Sequence, residues 1–180
     1  SRQEARILSE NFIHNLAKLH KIDVNETGLV ELGKPEGYMQ RQVEGWINRY
    51  KKSQTDDIRD MDQVIEWFPS NIPATSQVSF IHNDYKYDNI VLNPDDMTQI
   101  KAVLAWEMST VGDPLSDLVN TLAYTSEPTD PEPLRAFGIR AFEGVMNRDE
   151  MVRRYEAVSG IKPENMVFHY AFASFKLGVI

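Results

Sequence analysis

The chain has 180 residues, 42% of them hydrophobic and 26% charged, which is enough for one ordinary domain or one large lobe and argues against disorder. No apolar run approaches the roughly 18 residues that would span a bilayer, and the charged opening Ser1-Arg2-Gln3-Glu4-Ala5-Arg6 reads as a helix start, not a secretion signal. The 27 acidic residues outnumber the 19 basic ones for a net charge of −8, which disfavours a nucleic-acid surface. Zero cysteines exclude disulfides and thiolate metal sites, and a cytoplasmic setting is the default.

In chain order, Ile7-Leu8, Phe12, Leu16 and Leu19 fall on one face of a helix from Arg2 to about His20. Glycines and a proline make residues 28–37 a loop. Val43, Trp46, Ile47 and Tyr50 mark a second helix over Tyr38 to about Lys52, and a third runs from Asp56 or Asp57 to Phe68, ended by Pro69 and Pro73. Val78–Ile81, Ile90–Leu92 and Ile100–Leu104 are short apolar strands, the last two joined by a turn at Asn93-Pro94-Asp95-Asp96. Asp113-Pro114 is an N-cap followed by proline at the first helical position, opening a helix through about Tyr124. After Pro128, Pro131 and Pro133, helices are expected near Leu134–Met146, Arg148–Ser159 and Glu164–Ile180. The fold class is α+β and mainly helical, with a small β element in the middle. Both ends read as cut, since one enters a helix at once and the other stops within an apolar helix, whereas natural termini are usually polar and frayed.

The chemistry gathers at His82-Asn83-Asp84-Tyr85-Lys86-Tyr87-Asp88-Asn89. A His, an Asp two residues on and an Asn five further on match H-x-D-x-x-x-x-N, the catalytic-loop spacing of a phosphoryl-transfer site. In that pattern Asp84 accepts the proton of an attacking hydroxyl, and Asn89 holds Mg²⁺ on the nucleotide phosphates. Lys86 is placed to neutralise charge on the transferring group, or is an exposed loop lysine. His82 supports the loop through the backbone, and Asp88 is a solvated charge. Asp113 and Asp117 sit at a helix N-terminus, where exposed amides favour carboxylates. The four histidines (His14, His20, His82, His169) lack the clustering that a metal-dependent hydrolase needs.

The octapeptide at 82–89, Ala102-Val103-Leu104-Ala105-Trp106-Glu107 and Val111-Gly112-Asp113-Pro114-Leu115-Ser116-Asp117-Leu118 together resemble the aminoglycoside phosphotransferase superfamily, relatives of choline kinase and the protein kinases. Leu16-Ala17-Lys18-Leu19-His20 and Gly37-Tyr38-Met39-Gln40-Arg41-Gln42 resemble, within it, the phosphotransferase domains associated with acyl-CoA dehydrogenases. The likeness covers residues from about 5 to 120. It implies a protein-kinase-like C-terminal lobe, ATP and Mg²⁺ as cofactors, and a small-molecule hydroxyl acceptor. It also implies that Asp117 braces the catalytic loop through backbone amides, and that Trp106 flanks the cofactor.

The chain departs from the pattern twice. Relatives usually read Leu-Asp-Trp-Glu where this chain has Leu104-Ala105-Trp106-Glu107, and the resemblance makes that Asp the second Mg²⁺ ligand. Alanine supplies no side-chain oxygen, so position 105 is an engineered knockout, a pseudoenzyme substitution or a variant. Glu107, two residues on and on the same face of an extended segment, is a possible substitute ligand in a supporting role. No G-x-G-x-x-G occurs among the nine glycines, so the nucleotide-clamping N-terminal lobe is absent from residues 1–180. The expectation is a phosphotransferase lobe impaired at Ala105, with a non-catalytic small-molecule binding module as the alternative. No nucleic-acid or membrane partner is expected, and a face left by a missing lobe could pair two copies.

Overall fold

Helix α1, Arg2–His20, opens on a capping box in which Ser1 accepts from the Glu4 amide and Glu4 reaches back to the terminal amine. It buries Phe12, Ile13, Leu16 and Ala17 completely. The computed structural model describes residues 1–74, 77–137, 139–140 and 143–180. A short 3₁₀ turn at Leu29–Leu32 interrupts the loop that follows α1. Next come α2, Tyr38–Ser53, and α3, Arg59–Trp67. Strands β1, Ser79–Ile81, β2, Ile90–Asn93, β3, Asp96–Val103, and β4, Thr110–Gly112, make up the middle.

The second half begins with α4, Pro114–Ala123, followed by β5, Thr125–Ser126, α5, Glu132–Phe137, and β6, Ile139–Arg140. Helices α6, Arg148–Ser159, and α7, Met166–Val179, complete the chain. Among the described residues no helix is long and apolar enough to cross a membrane. The α+β, mainly helical, kinase-like lobe expected from the sequence is the architecture found.

The strands form three two-stranded pairs. β1 and β4 run antiparallel with Phe80 opposite Val111, and β2 and β3 form an antiparallel hairpin with Ile90 opposite Val103. β5 and β6 pair in parallel. The catalytic-loop sequence is the link from β1 to β2, so each of its ends is fixed by a different ladder.

Two cores flank this β element. One joins α1 (Phe12, Leu16) to Tyr85, Leu118 and Leu122 of α4, and Tyr155 of α6. The other joins Val43 and Ile47 of α2, Phe68 and Ile81 to Phe168, Phe172 and Phe175 of α7. Helix α4 lies between them and is buried from Pro114 to Leu122, polar residues included. Such residues are tolerated in a core only when partnered; Asp117 and Thr121 bond the loop between β1 and β2, and Asn120 accepts from Lys176 of α7.

Several boundaries differ from expectation. α3 starts at Arg59 and α7 at Met166, both later than the sequence pattern suggests. β3 reaches back to Asp96, the last residue of the expected turn. Strand β4 was not expected, because three residues are too few for a period-2 pattern to register. The helix expected over Leu134–Met146 is α5 alone, six residues long; part of that span lies outside the described residues. Gly144 adopts φ 102°, and a Cβ there would meet the Arg2 carbonyl oxygen at 2.3 Å. A glycine turn packed on backbone takes the place of the helix end.

Candidate active site

The loop from β1 to β2 is shaped from beneath by one carboxylate. Asp117, fully buried in the first turn of α4, accepts the His82 amide on Oδ2 and the Asn83 amide on Oδ1, both at 2.8 Å. Its Oδ2 also lies 3.0 Å from His20 Nε2, and His20 Nδ1 meets the Tyr155 hydroxyl at 2.6 Å. Burial pushes the Asp117 pKa up, but the bonds from His20 and from the two amides outweigh it and hold the group below the ordinary carboxylate range. Asp113, also buried, caps α4 by accepting the Leu115 and Ser116 amides.

Asn83 takes φ 66°, a left-handed conformation that asparagine tolerates better than most residues. It bonds Tyr38 through Oδ1 and the Met108 carbonyl through Nδ2. His82 is wholly buried. Its Nε2 donates to the Leu104 carbonyl at 2.8 Å, and its Nδ1 accepts the Asp84 amide at 3.2 Å. A carbonyl can only accept and an amide can only donate, so these partners fix the ring's tautomer. Thr121 of α4 donates to the Tyr85 carbonyl, and the Tyr85 hydroxyl donates to the Phe12 carbonyl of α1.

With the backbone held in this way, Asp84 is bracketed by two donors. Lys86 Nζ donates to Oδ1 at 2.8 Å, and Asn89 Nδ2 donates to Oδ2 at 2.7 Å. Asn89 Nδ2 also reaches the Asp84 carbonyl, and the Asn89 backbone carbonyl accepts the Leu104 amide at 2.8 Å, whereas among the described residues nothing donates to the Asn89 side-chain Oδ1. Burial works against the Lys86 charge, but its bond to Asp84 more than offsets that and raises its pKa. Lys86 also lies 4.9 Å from the Tyr124 ring centre. Among the described residues the Asp88 side chain makes no hydrogen bond in the site, and its charge adds only slightly to the stabilisation of the Lys86 ammonium.

Ala105 is left-handed, with φ 62° and ψ 51°. This corrects the extended geometry expected for 104–107, because a 3₁₀ turn, Trp106–Met108, follows directly. Glu107 therefore does not share a strand face with Ala105, and it is exposed. Trp106 is 43% exposed. Its ring centre lies 4.7 Å from that of His82, and its Nε1 donates to the Val103 carbonyl.

These donors do not fit a Mg²⁺ ion held by two protein ligands. Asn89 has a free side-chain Oδ1, but Ala105 offers no side-chain oxygen, and no group of three or more His, Asp or Glu able to hold a metal occurs among the described residues.

Asp84 and Asn83 open into a cavity of about 380 Å³ whose other walls include Trp46 and Arg49 of α2, Asn120 of α4, Tyr124 and Lys176 of α7. Sequence reasoning missed this wall, which comes from three distant helices. It also missed His20, although a histidine in register with Ile13 and Leu16 on an apolar helix face must have a buried partner, and that was a legible signal.

The catalytic-loop fold and its setting define a kinase-like phosphotransferase lobe, and the chain belongs to the phosphotransferase enzyme family, whose sequence model matches residues 1–154. It is 32% identical over 183 aligned residues to mouse acyl-CoA dehydrogenase family member 10, covering 100% of this chain and 17% of that protein. To rat acyl-CoA dehydrogenase family member 11 it is 37% identical over 174 residues, covering 94% of this chain and 22% of the relative. A solved Ralstonia eutropha structure, assigned as an aminoglycoside phosphotransferase, superposes with TM-score 0.86 at 30% identity, over 99% of this chain and 55% of that one. The chain thus spans about a fifth of the curated relatives it matches and about half of the solved one.

Proposed function

We propose that this chain is the C-terminal, acceptor-binding lobe of an ATP-dependent phosphotransferase acting on a hydroxyl of a small molecule, in a cytoplasmic setting. The nucleotide-clamping parts would belong to a separate N-terminal lobe. The observation that carries the reading is the Asp84 carboxylate, bracketed by Lys86 and Asn89 and facing a cavity large enough for a small acceptor.

Each carboxylate oxygen can accept more than one hydrogen bond, so Asp84 can take an acceptor hydroxyl while keeping both present partners. As the hydroxyl oxygen forms its bond to the γ-phosphorus, its proton passes to Asp84. The bond from that phosphorus to the β,γ-bridging oxygen breaks, and ADP leaves. Lys86, 2.8 Å from Asp84, is positioned to follow the developing negative charge. The buried Asp117 keeps the loop from rearranging as charge shifts, since its two amide bonds fix the backbone on either side of His82. Asn89 alone would be suited to hold Mg²⁺, which would supply charge neutralisation at the nucleotide phosphates.

Ala105 supports a second reading, a binding module that keeps the acceptor cavity and has lost the chemistry. The deciding experiment measures ATP-dependent transfer by the longer protein carrying this chain, native and Ala105→Asp, against a panel of hydroxyl compounds. Transfer gained or strongly raised by Ala105→Asp supports the phosphotransferase reading. Ligand binding without Mg²⁺ or turnover in either form would favour the binding module.

A further inference from the structure

The cavity beside Asp84 carries the opposite charge balance to the chain as a whole. The protein has a net charge of −8, yet among its side chains the cavity wall has two cations, Arg49 and Lys176, and one carboxylate, Asp84, which is already paired with Lys86. Lys176 is the more unusual of the two cations. It stands on α7 and is only partly exposed, and its Nζ donates to the neutral Asn120 side chain. No carboxylate lies within salt-bridge distance of it among the described residues. The Phe172 ring, 4.9 Å from Nζ, offsets part of its desolvation. Burial nonetheless drags its pKa down to about 8, with Asp117 opposing too weakly to prevent it.

A half-buried ammonium with only a neutral acceptor is costly unless something else in the site compensates it. A group so perturbed, lining a cleft, is a candidate for a ligand contact. A purely structural role would be served as well by a methionine, which keeps the apolar stem without the charge. Arg49 has its guanidinium carbon 4.3 Å from the Trp46 ring centre and lines the same cavity.

We propose that Lys176 is a specificity-determining residue that binds an oxyanion of the acceptor, so that the preferred acceptors are hydroxyl compounds carrying a carboxylate or phosphate, not cationic or neutral ones. The inference rests on the phosphotransferase reading for the word acceptor, but the anion site itself is testable by binding alone.

The test is calorimetric titration of the chain with four small matched compounds: glycerate, glycerol 3-phosphate, the neutral amide of glycerate, and the cationic serinol. Glycerate or glycerol 3-phosphate should bind at least about tenfold more tightly than the amide and serinol, and which of the two binds better separates the carboxylate source from the phosphate source. Lys176→Met should erase the preference, while Lys176→Arg should keep part of it. Circular dichroism melts would verify that both variants fold. In the native chain the Lys176 ε-NMR resonance should titrate closer to an ordinary lysine with the anion bound, a shift that a structural lysine would not show.

Equal or tighter binding of the amide or serinol, an unchanged preference in Lys176→Met, or no binding of either anion would overturn the proposal. Absence of ATP-dependent transfer by the longer protein carrying Ala105→Asp, with the anion preference intact, would count against the phosphotransferase reading and leave the anion site standing.

Discussion

His20 and Asp117 stand 97 positions apart in sequence, yet the His20 Nε2 lies 3.0 Å from the Asp117 Oδ2, both side chains sealed from solvent. The same carboxylate holds the amides of His82 and Asn83. One buried charge therefore ties α1, α4 and the catalytic loop together.

Removing either member should hurt out of proportion to its size, because the other stays buried with one of its hydrogen-bond partners lost. Asp117→Asn is expected to cost about 3–5 kcal/mol of stability, and His20→Ala somewhat less. In a double-mutant cycle by urea denaturation the two losses should be clearly non-additive. Additive losses would mean that the pair is not coupled.

The sign of the acid response follows from the same group. Asp117 is held below its ordinary value of 3.8 in the folded chain. The unfolded aspartate therefore takes up its proton first on acidification. The stability that Asp117 contributes is whole above 3.8 and is lost as the pH falls from there through the lower folded value. The gap in stability between the native chain and Asp117→Asn should narrow over that window. A gap that stays constant there would show that the carboxylate is not held low.

Position 105 gives a prediction about sign. Ala105 lies at φ 62°, where a Cβ costs about 1–2 kcal/mol. Glycine in place of alanine destabilises a helix interior by about 1 kcal/mol. Here Ala105→Gly should leave stability unchanged or raise it by up to about 1 kcal/mol, whereas Ala105→Val should lower it. Thermal melts of the two variants would decide, and a loss in Ala105→Gly would contradict the left-handed backbone. Ala105→Asp should also create Mn²⁺ binding that the native chain lacks, read by paramagnetic broadening near Asn89.

Gly144 offers a harsher case. Its φ is 102° and an added Cβ would fall 2.3 Å from the Arg2 carbonyl oxygen, a backbone atom that cannot rotate away. Gly144→Ala should cost more than about 2 kcal/mol and loosen the start of α1. Hydrogen exchange of the α1 amides would reveal it, and native-like protection would argue against the contact.

The legible part of the molecule was the part written locally. Asp113-Pro114 signalled the start of α4, and the α1 and α6 patterns gave helices at the spans found. The spacing of His82, Asp84 and Asn89 marked a loop in which the last two do meet, at 2.7 Å. What stayed hidden was assembled from a distance. The His20 ring, the Thr121 hydroxyl and the Lys176 ammonium become neighbours of the loop only when α1, α4 and α7 pack, and no short window contains them. Backbone sign was equally invisible: nothing in Leu104-Ala105-Trp106 says that an alanine will be left-handed.

The loop's shape is held by the buried Asp117, whereas Ala105 lies outside that network, so under the proposed function folding and turnover can fail separately. A chain silenced at 105 would keep its acceptor cavity open and its melting curve unremarked.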